Sequence, residues 1–393
     1  MDIILFWILF IASLSKFILL FPAFPEILYY GVFLISFIWL IFRGGIRVSW
    51  QYLFFISAIL FSVWLNDIPA LFRVGFRVAA FFSLVFVVGP FFINDHLIRM
   101  RRLLFVRSLL ILRWIVLFSF LLKFIAPDMV MGRSGFCGLT NHSMMLSPLA
   151  GISLLYGIYR FYLSETSMER YKEIICVCIS FLVLILAGSR GALAATLVGV
   201  IFFYVRLYKY RIGQLFRIVL FFSVLVISTS SLWWSYTERI REKMDSSEDV
   251  GSLTSSRDAL WEDRIKEFKA FPVFGVGFAS YNLNYIQSEN SINRLSGTVE
   301  PGSSWLFLLS SLGLYGFLSF LLPVFYTLYI LYRDSRTGMN GGLVGSIMTL
   351  FCVYMLVEGF VVASGSYLCF LLWLSLSESE QILHNSNNKF LSI

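Results

Sequence analysis

The residues able to do chemistry in this chain are a few arginines and carboxylates set among long apolar runs. Arg190 sits in Ala187-Gly188-Ser189-Arg190-Gly191-Ala192 and is the one charge between residues 174 and 205. A charge in such surroundings is costly, so each is a functional hypothesis. A guanidinium stays charged, and its planar fork of donors matches phosphate oxygens two at a time. Arg73 and Arg77, four apart in Leu71-Phe72-Arg73-Val74-Gly75-Phe76-Arg77, share one helix face. Arg133 stands in Gly132-Arg133-Ser134-Gly135-Phe136-Cys137-Gly138-Leu139-Thr140-Asn141-His142-Ser143. In that segment Thr140 or Asn141 is expected to cap the next helix, whose N-terminus favours anions. Arg257, Trp261, Arg264 and Phe268 recur at i, i+4, i+7 and i+11, one face of an amphipathic helix starting after Ser256.

Two carboxylates complete the set: Glu300 in Val299-Glu300-Pro301-Gly302-Ser303-Ser304-Trp305, and Glu358 in Val357-Glu358-Gly359. Glu300 is the candidate proton acceptor. His142 is the alternative, and Asn141, His142 and Glu358 join the candidate binding residues. Several arginines around a diphosphate leaving group do the electrostatic work a metal ion does elsewhere. No Asp-rich pair or His cluster offers metal ligands. Each feature also has a plainer account: snorkelling for Arg73 and Arg77, a solvated interfacial helix for 257–268, a helix-dipole carboxylate for Glu300. Five cysteines, only Cys176 and Cys178 of them close, make neither a disulfide framework nor a zinc site. Phe274-Gly275-Val276-Gly277-Phe278 is a glycine turn without the strand or Lys of a phosphate loop.

The elements that must position these residues follow from composition. The 393 residues are 59% hydrophobic and 14% charged, against about 25% charge in a soluble domain. That excludes a soluble globular chain, a disordered one and a coiled coil. A span needs about 20 mainly apolar residues. Twelve are expected, near 3–20, 26–42, 51–66, 69–91, 103–126, 142–163, 173–188, 190–208, 214–233, 303–332, 342–358 and 360–377. The fold class is an all-α integral membrane protein. Residues 1–233 hold spans 1–9, 234–302 form a large loop with the amphipathic helix, and 303–377 hold spans 10–12. Residues 378–393 are expected to be a polar tail.

Loops after even-numbered spans hold sixteen Lys and Arg (Arg43, Arg99, Arg102, Arg113 and Arg206 among them), against five on the other side. By the positive-inside rule both termini are cytoplasmic, and the 234–302 loop is outside. That loop carries eight basic and eleven acidic residues. The net charge of +8 therefore belongs to the cytoplasmic rim and marks no nucleic-acid surface. The arginines and carboxylates above fall on the outer side.

At these residues the chain resembles the bacterial O-antigen polymerase and O-antigen ligase family. The likeness lies in the order of parts: the glycine-bearing loop ending in Asn141, Ser189-Arg190-Gly191 between two spans, and a large loop between spans 9 and 10. Within and after that loop come Arg257 and Trp261, Pro272-Val273-Phe274-Gly275-Val276-Gly277, and then Leu312-Gly313-Leu314-Tyr315-Gly316. The match is good over roughly 130–320. The resemblance implies a membrane glycosyltransferase of GT-C-like architecture at the periplasmic face of the bacterial inner membrane. It implies undecaprenyl-diphosphate-linked glycans as donor and acceptor, surrounding membrane lipids, a chain-length regulator protein as partner, and no cofactor. In the ligases a His late in the long loop activates the acceptor; residues 290–302 have none, and Glu300 stands near that place. The departure favours a polymerase of O-antigen, capsule or exopolysaccharide repeats over the ligase acting on lipid A-core. Arg190, Arg257 and Arg264 would hold the donor diphosphate, and Arg73, Arg77 and Arg133 would orient the second lipid-diphosphate. A flippase or transporter, the rival of another class, calls for charges near the midplane and matching broken spans in two halves; neither is evident.

Overall fold

An apolar chain inside a bilayer must satisfy its backbone internally, which leaves helices as the available element for such runs. The computed structural model describes residues 2–22, 24–66, 74–132, 135–211, 213–214, 216–217, 220, 228, 234–249, 255–282, 284–285 and 300–391. Its helices are α1 (Asp2–Leu14), α2 (Glu26–Phe42), α3 (Trp50–Trp64), α4 (Val74–Val88), α5 (Asp95–Ile125) and the short α6 (Pro127–Val130). They continue as α7 (Ser143–Leu163), α8 (Ser167–Leu186), α9 (Arg190–Leu207), α10 (Glu238–Asp249) and α11 (Ser255–Ala270). The last are α12 (Ser304–Arg333), α13 (Gly338–Tyr354) and α14 (Tyr367–Leu391). By length and composition α5, α9 and α12 can cross a membrane; α1 to α4 are apolar but shorter. Trp7, Ile27, Phe42, Trp50, Trp64, Phe118 and Ile125 point outward from the bundle, as expected where the surroundings are lipid. The expected span 214–233 lies largely outside the described residues.

Helix ends sort into two faces. On one, Leu19 just beyond α1 donates its amide to Leu139 O, whose own amide donates to Ser119 Oγ near the end of α5. On the same face Asn66, past α3, donates to Gly275 O, Arg77 near the start of α4 donates to Ala279 O, and the amide of Ser304 donates to Met355 O past α13. On the opposite face Asn94 Nδ2 donates to Leu40 O, and Arg206 at the end of α9 donates to Leu331 O and Gly338 O. Arg101 is buried there, giving hydrogen bonds to Phe86 O, Val87 O and Phe92 O. Arg113, counted with the loop cations, instead lies inside α5, where Nη1 meets Glu173 of α8 at 2.8 Å.

Three boundaries differ from the sequence expectation. First, α12 is not one continuous helix. Gly313 adopts φ 64°, ψ −168° in its interior, and the turn 271–278 docks into the break. Val276 and Gly277 amides donate to Ser310 O and Ser311 O at 2.8 and 3.0 Å; Leu314 and Tyr315 amides donate to Pro272 O and Val273 O at 2.8 and 3.2 Å. The broken ladder is thereby made whole by protein, the condition for irregular backbone at membrane depth. A Cβ on Gly313 would overlap the Val273 carbonyl, and one on Gly275 the Ser311 backbone. Second, the tight turn expected at Glu358-Gly359 is the connection 355–366. Met355, Phe360 and Val361 in it are buried within protein, and hydropathy cannot tell that environment from lipid. Third, α14 continues to Leu391, so the expected tail at 378–393 begins inside a helix.

Candidate functional site

The site forms where α11 lies against the start of α12. Ser303 caps α12, its hydroxyl accepting from the Leu306 amide. Ser304 instead ties two segments together. Its Oγ and amide both donate to Glu358 O, at 2.6 and 3.0 Å, and the Oγ accepts from the Phe360 amide. The main chain of Glu358 is thus fixed to the start of α12. From α11, Arg257 Nη2 reaches Glu358 Oε1 at 2.5 Å, while Nη1 donates to Gly302 O at 2.9 Å. Trp261, one turn on, donates Nε1 to the same Gly302 oxygen at 3.2 Å. Arg257 and Glu358 side chains remain 14% and 20% exposed, so the pair sits at a mouth reached by solvent. Burial pushes the Glu358 carboxyl up; Arg257 pulls it down, and nearby Glu300 pushes it up again. Glu300 itself is exposed.

The start of α9, which carries Arg190, packs against the segment that holds Glu358. Ser189 caps α9, its hydroxyl accepting from the Ala192 amide. Gly191 packs so closely on Val357, the neighbour of Glu358, that a Cβ would overlap its Cγ2. Arg190 is half-buried and makes no hydrogen bond or ion pair among the described residues. Tyr354, absent from the sequence candidates, joins the parts. It is buried at the end of α13, hydrogen-bonded to Ser189 and to Met144 O, and it stands beside Glu358 and Arg257. Its one local signal was a position four residues ahead of Glu358.

Arg264 shares a helix with Arg257 but goes elsewhere. It is 3% exposed, its Nη1 lies 2.7 Å from Glu267 Oε2, and its guanidinium stacks 4.4 Å over the Tyr281 ring. Glu267 Oε1 accepts the Asn282 amide at 2.9 Å. Burial pushes the Glu267 carboxyl up, against the pull of Arg264, the Asn282 amide and the Ser310 hydroxyl. Arg77 donates to Ala279 O at 2.5 Å and lies near Tyr281. Ala279 holds φ 51°, a strained value for a residue with a Cβ. Arg77, Arg264, Glu267 and Tyr281 therefore form the base on which the turn rests, below the Arg257 mouth.

His142, where Thr140 or Asn141 was expected, caps α7: its Nδ1 accepts from the Met144 amide at 3.1 Å. A neutral imidazole with Nδ1 accepting carries its proton on Nε2, so the lone pair a base would use is engaged in the cap. Asn141 ties the loop to the segment after α1, its main-chain amide donating to Phe17 O. Arg73 and Arg133 lie outside the described residues. The structure therefore brings Arg257, Glu300 and Glu358 together, packs the α9 start that carries Arg190 on Val357, and sets Arg77 and Arg264 around Tyr281.

Residues 175–321 match the family model described as O-antigen ligase. The match supports the O-antigen ligase and polymerase family, whose members are membrane enzymes that transfer glycans, and does not separate the two activities. It takes in Arg190, Arg257, Glu300 and the α12 break, while Glu358, His142 and Arg77 fall outside it. No curated protein matches the chain.

Proposed function

We propose that this protein polymerises oligosaccharide repeats carried on undecaprenyl diphosphate, at the periplasmic face of the bacterial inner membrane. The observation that carries the proposal is the pairing of Arg257 with Glu358 beside Glu300, with the α9 start that bears Arg190 packed on Val357, from segments far apart in sequence. The growing chain on its lipid diphosphate is the donor, and a new lipid-linked repeat supplies the attacking hydroxyl. Arg190 and Arg257 hold the donor diphosphate and stabilise the charge it gains as it leaves. A carboxylate at the same mouth receives the proton of the attacking sugar. Arg77 and Arg264 act below, holding the turn that positions α11. The ligase reading relies on His142 as base, and its Nδ1 is already engaged in the α7 cap. That favours the polymerase.

The test is reconstitution in vesicles with purified lipid-linked repeats. A ladder of lengthening glycan is the expected product. No ladder, with glycan appearing on added lipid A-core instead, would establish the ligase. Movement of repeats across the bilayer without new glycosidic bonds would mean a transporter.

A further inference from the structure

We infer that Arg257 is handed over from Glu358 to the donor's diphosphate, and that Glu358, released by this exchange, is the carboxylate that takes the acceptor's proton. The inference rests on the glycosyl-transfer reading above and assigns its base.

Four observations support it. Arg257 divides its guanidinium between a fixed and an exchangeable partner. Nη1 holds a main-chain oxygen, Gly302 O, which Trp261 holds as well, whereas Nη2 holds a side chain, Glu358. A diphosphate offers several anionic oxygens where the carboxylate offers one charge, so it competes for the exchangeable half while Gly302 keeps the cation in place. Second, Glu358 is anchored by its own carbonyl through two bonds from Ser304. Losing Arg257 therefore frees the side chain without moving the main chain. Third, the groups facing Glu358 are Arg257 from α11, Glu300 ahead of α12 and Tyr354 from α13. Burial, the largest influence, and Glu300 both favour the Glu358 proton, and Arg257 is the neighbour that opposes them. Withdrawal of Arg257 thus strengthens the base when substrate arrives. Fourth, Glu300 is exposed, whereas Glu358 is four-fifths covered and its main chain is anchored, which keeps its carboxylate within the site for general-base work.

The step balances. The acceptor hydroxyl oxygen bonds to the anomeric carbon of the donor sugar. The bond from that carbon to the diphosphate oxygen breaks, and the diphosphate leaves with the electron pair, held by Arg257 and Arg190. The hydroxyl proton passes to Glu358. When the lipid diphosphate departs, Arg257 returns and the proton goes to solvent.

The test uses the full chain in nanodiscs, with farnesyl diphosphate as a sugar-free probe and the vesicle ladder assay for turnover. Glu358→Gln removes the competitor for Arg257 and the base together. It is expected to bind the probe several-fold more tightly than wild type while polymerising about 10²–10⁴-fold more slowly. Glu358→Asp, which keeps the charge one methylene shorter, is expected to recover part of the turnover and wild-type probe affinity. Turnover of Glu358→Gln within tenfold of wild type, in a protein with wild-type thermal unfolding, overturns the base assignment. Weaker probe binding by Glu358→Gln overturns the handover. Should Glu358→Gln not fold, Glu358→Asp decides: full turnover at unchanged pH dependence overturns the base assignment. A wild type that binds the probe and makes no ladder refutes the polymerase reading, while the binding comparison still judges the handover.

Discussion

Replacing Gly313 by alanine should uncouple the outer loop from the bundle. At φ 64°, ψ −168°, a region open essentially to glycine, an alanine costs about 1–3 kcal/mol in backbone strain alone. The larger cost comes from overlap with the Val273 carbonyl. That carbonyl belongs to main chain, so relief requires the 271–278 turn to back out of the break. Four backbone bonds then open, those of Val276, Gly277, Leu314 and Tyr315. At about 1 kcal/mol for each hydrogen bond lost, together with the strain, the total reaches about 5 kcal/mol. Because the turn follows directly on α11, Arg257 and Trp261 lose their register against Gly302, and turnover falls with stability. The control is Gly31→Ala in α2, where nothing lies within 4 Å of the new Cβ and alanine should gain about 0.5–1 kcal/mol. Thermal unfolding of both variants in one detergent, with turnover in the ladder assay, measures the contrast. A Gly313→Ala protein within 1 kcal/mol of wild type and fully active would refute the docked-break account.

Glu267→Gln leaves Arg264 charged and 3% exposed, which should cost about 3–5 kcal/mol. Adding Arg264→Met should restore part of that loss in a double-mutant cycle, and a double mutant as unstable as both losses summed would argue against the pair. Arg190→Ala should lower turnover by at least tenfold with little change in unfolding temperature, because its side chain holds nothing else among the described residues; Arg190→Lys should be intermediate in the same assays. Glu300→Gln removes a charge that raises the Glu358 pKa. A base works only when deprotonated, so lowering its pKa should move the acid limb of the pH–rate profile to lower pH; abolished turnover at every pH would instead make Glu300 the base. His142→Ala removes a cap at about 0.5–2 kcal/mol and should keep ladder formation within a few-fold, whereas a ligase relying on this histidine would lose transfer altogether.

The sequence by itself determined that the chain is mostly apolar helix, where most of those helices lie, and that Arg190 and Arg257 are cations needing an explanation. Apolar run length and the distribution of Lys and Arg are local quantities, so they survive without a structure. Only the tertiary structure separated Arg257 from Arg264. Both lie on the helix face expected from their spacing, yet one ends at a solvent-reached mouth and the other against Glu267 inside the fold, because the two ends of α11 meet different neighbours. The Arg257–Glu358 pair spans 101 positions, and nothing local announces it. The break in α12 was hidden for the same reason. Leu312-Gly313-Leu314 reads as helix interior, and the amides and carbonyls that complete its ladder come from a turn about forty residues earlier. Hydropathy likewise read 355–362 as span, because burial in protein and exposure to lipid select the same apolar residues. Which cation faces the substrate, and which carboxylate it releases, is therefore a property of packing, where charges distant in sequence share one small volume.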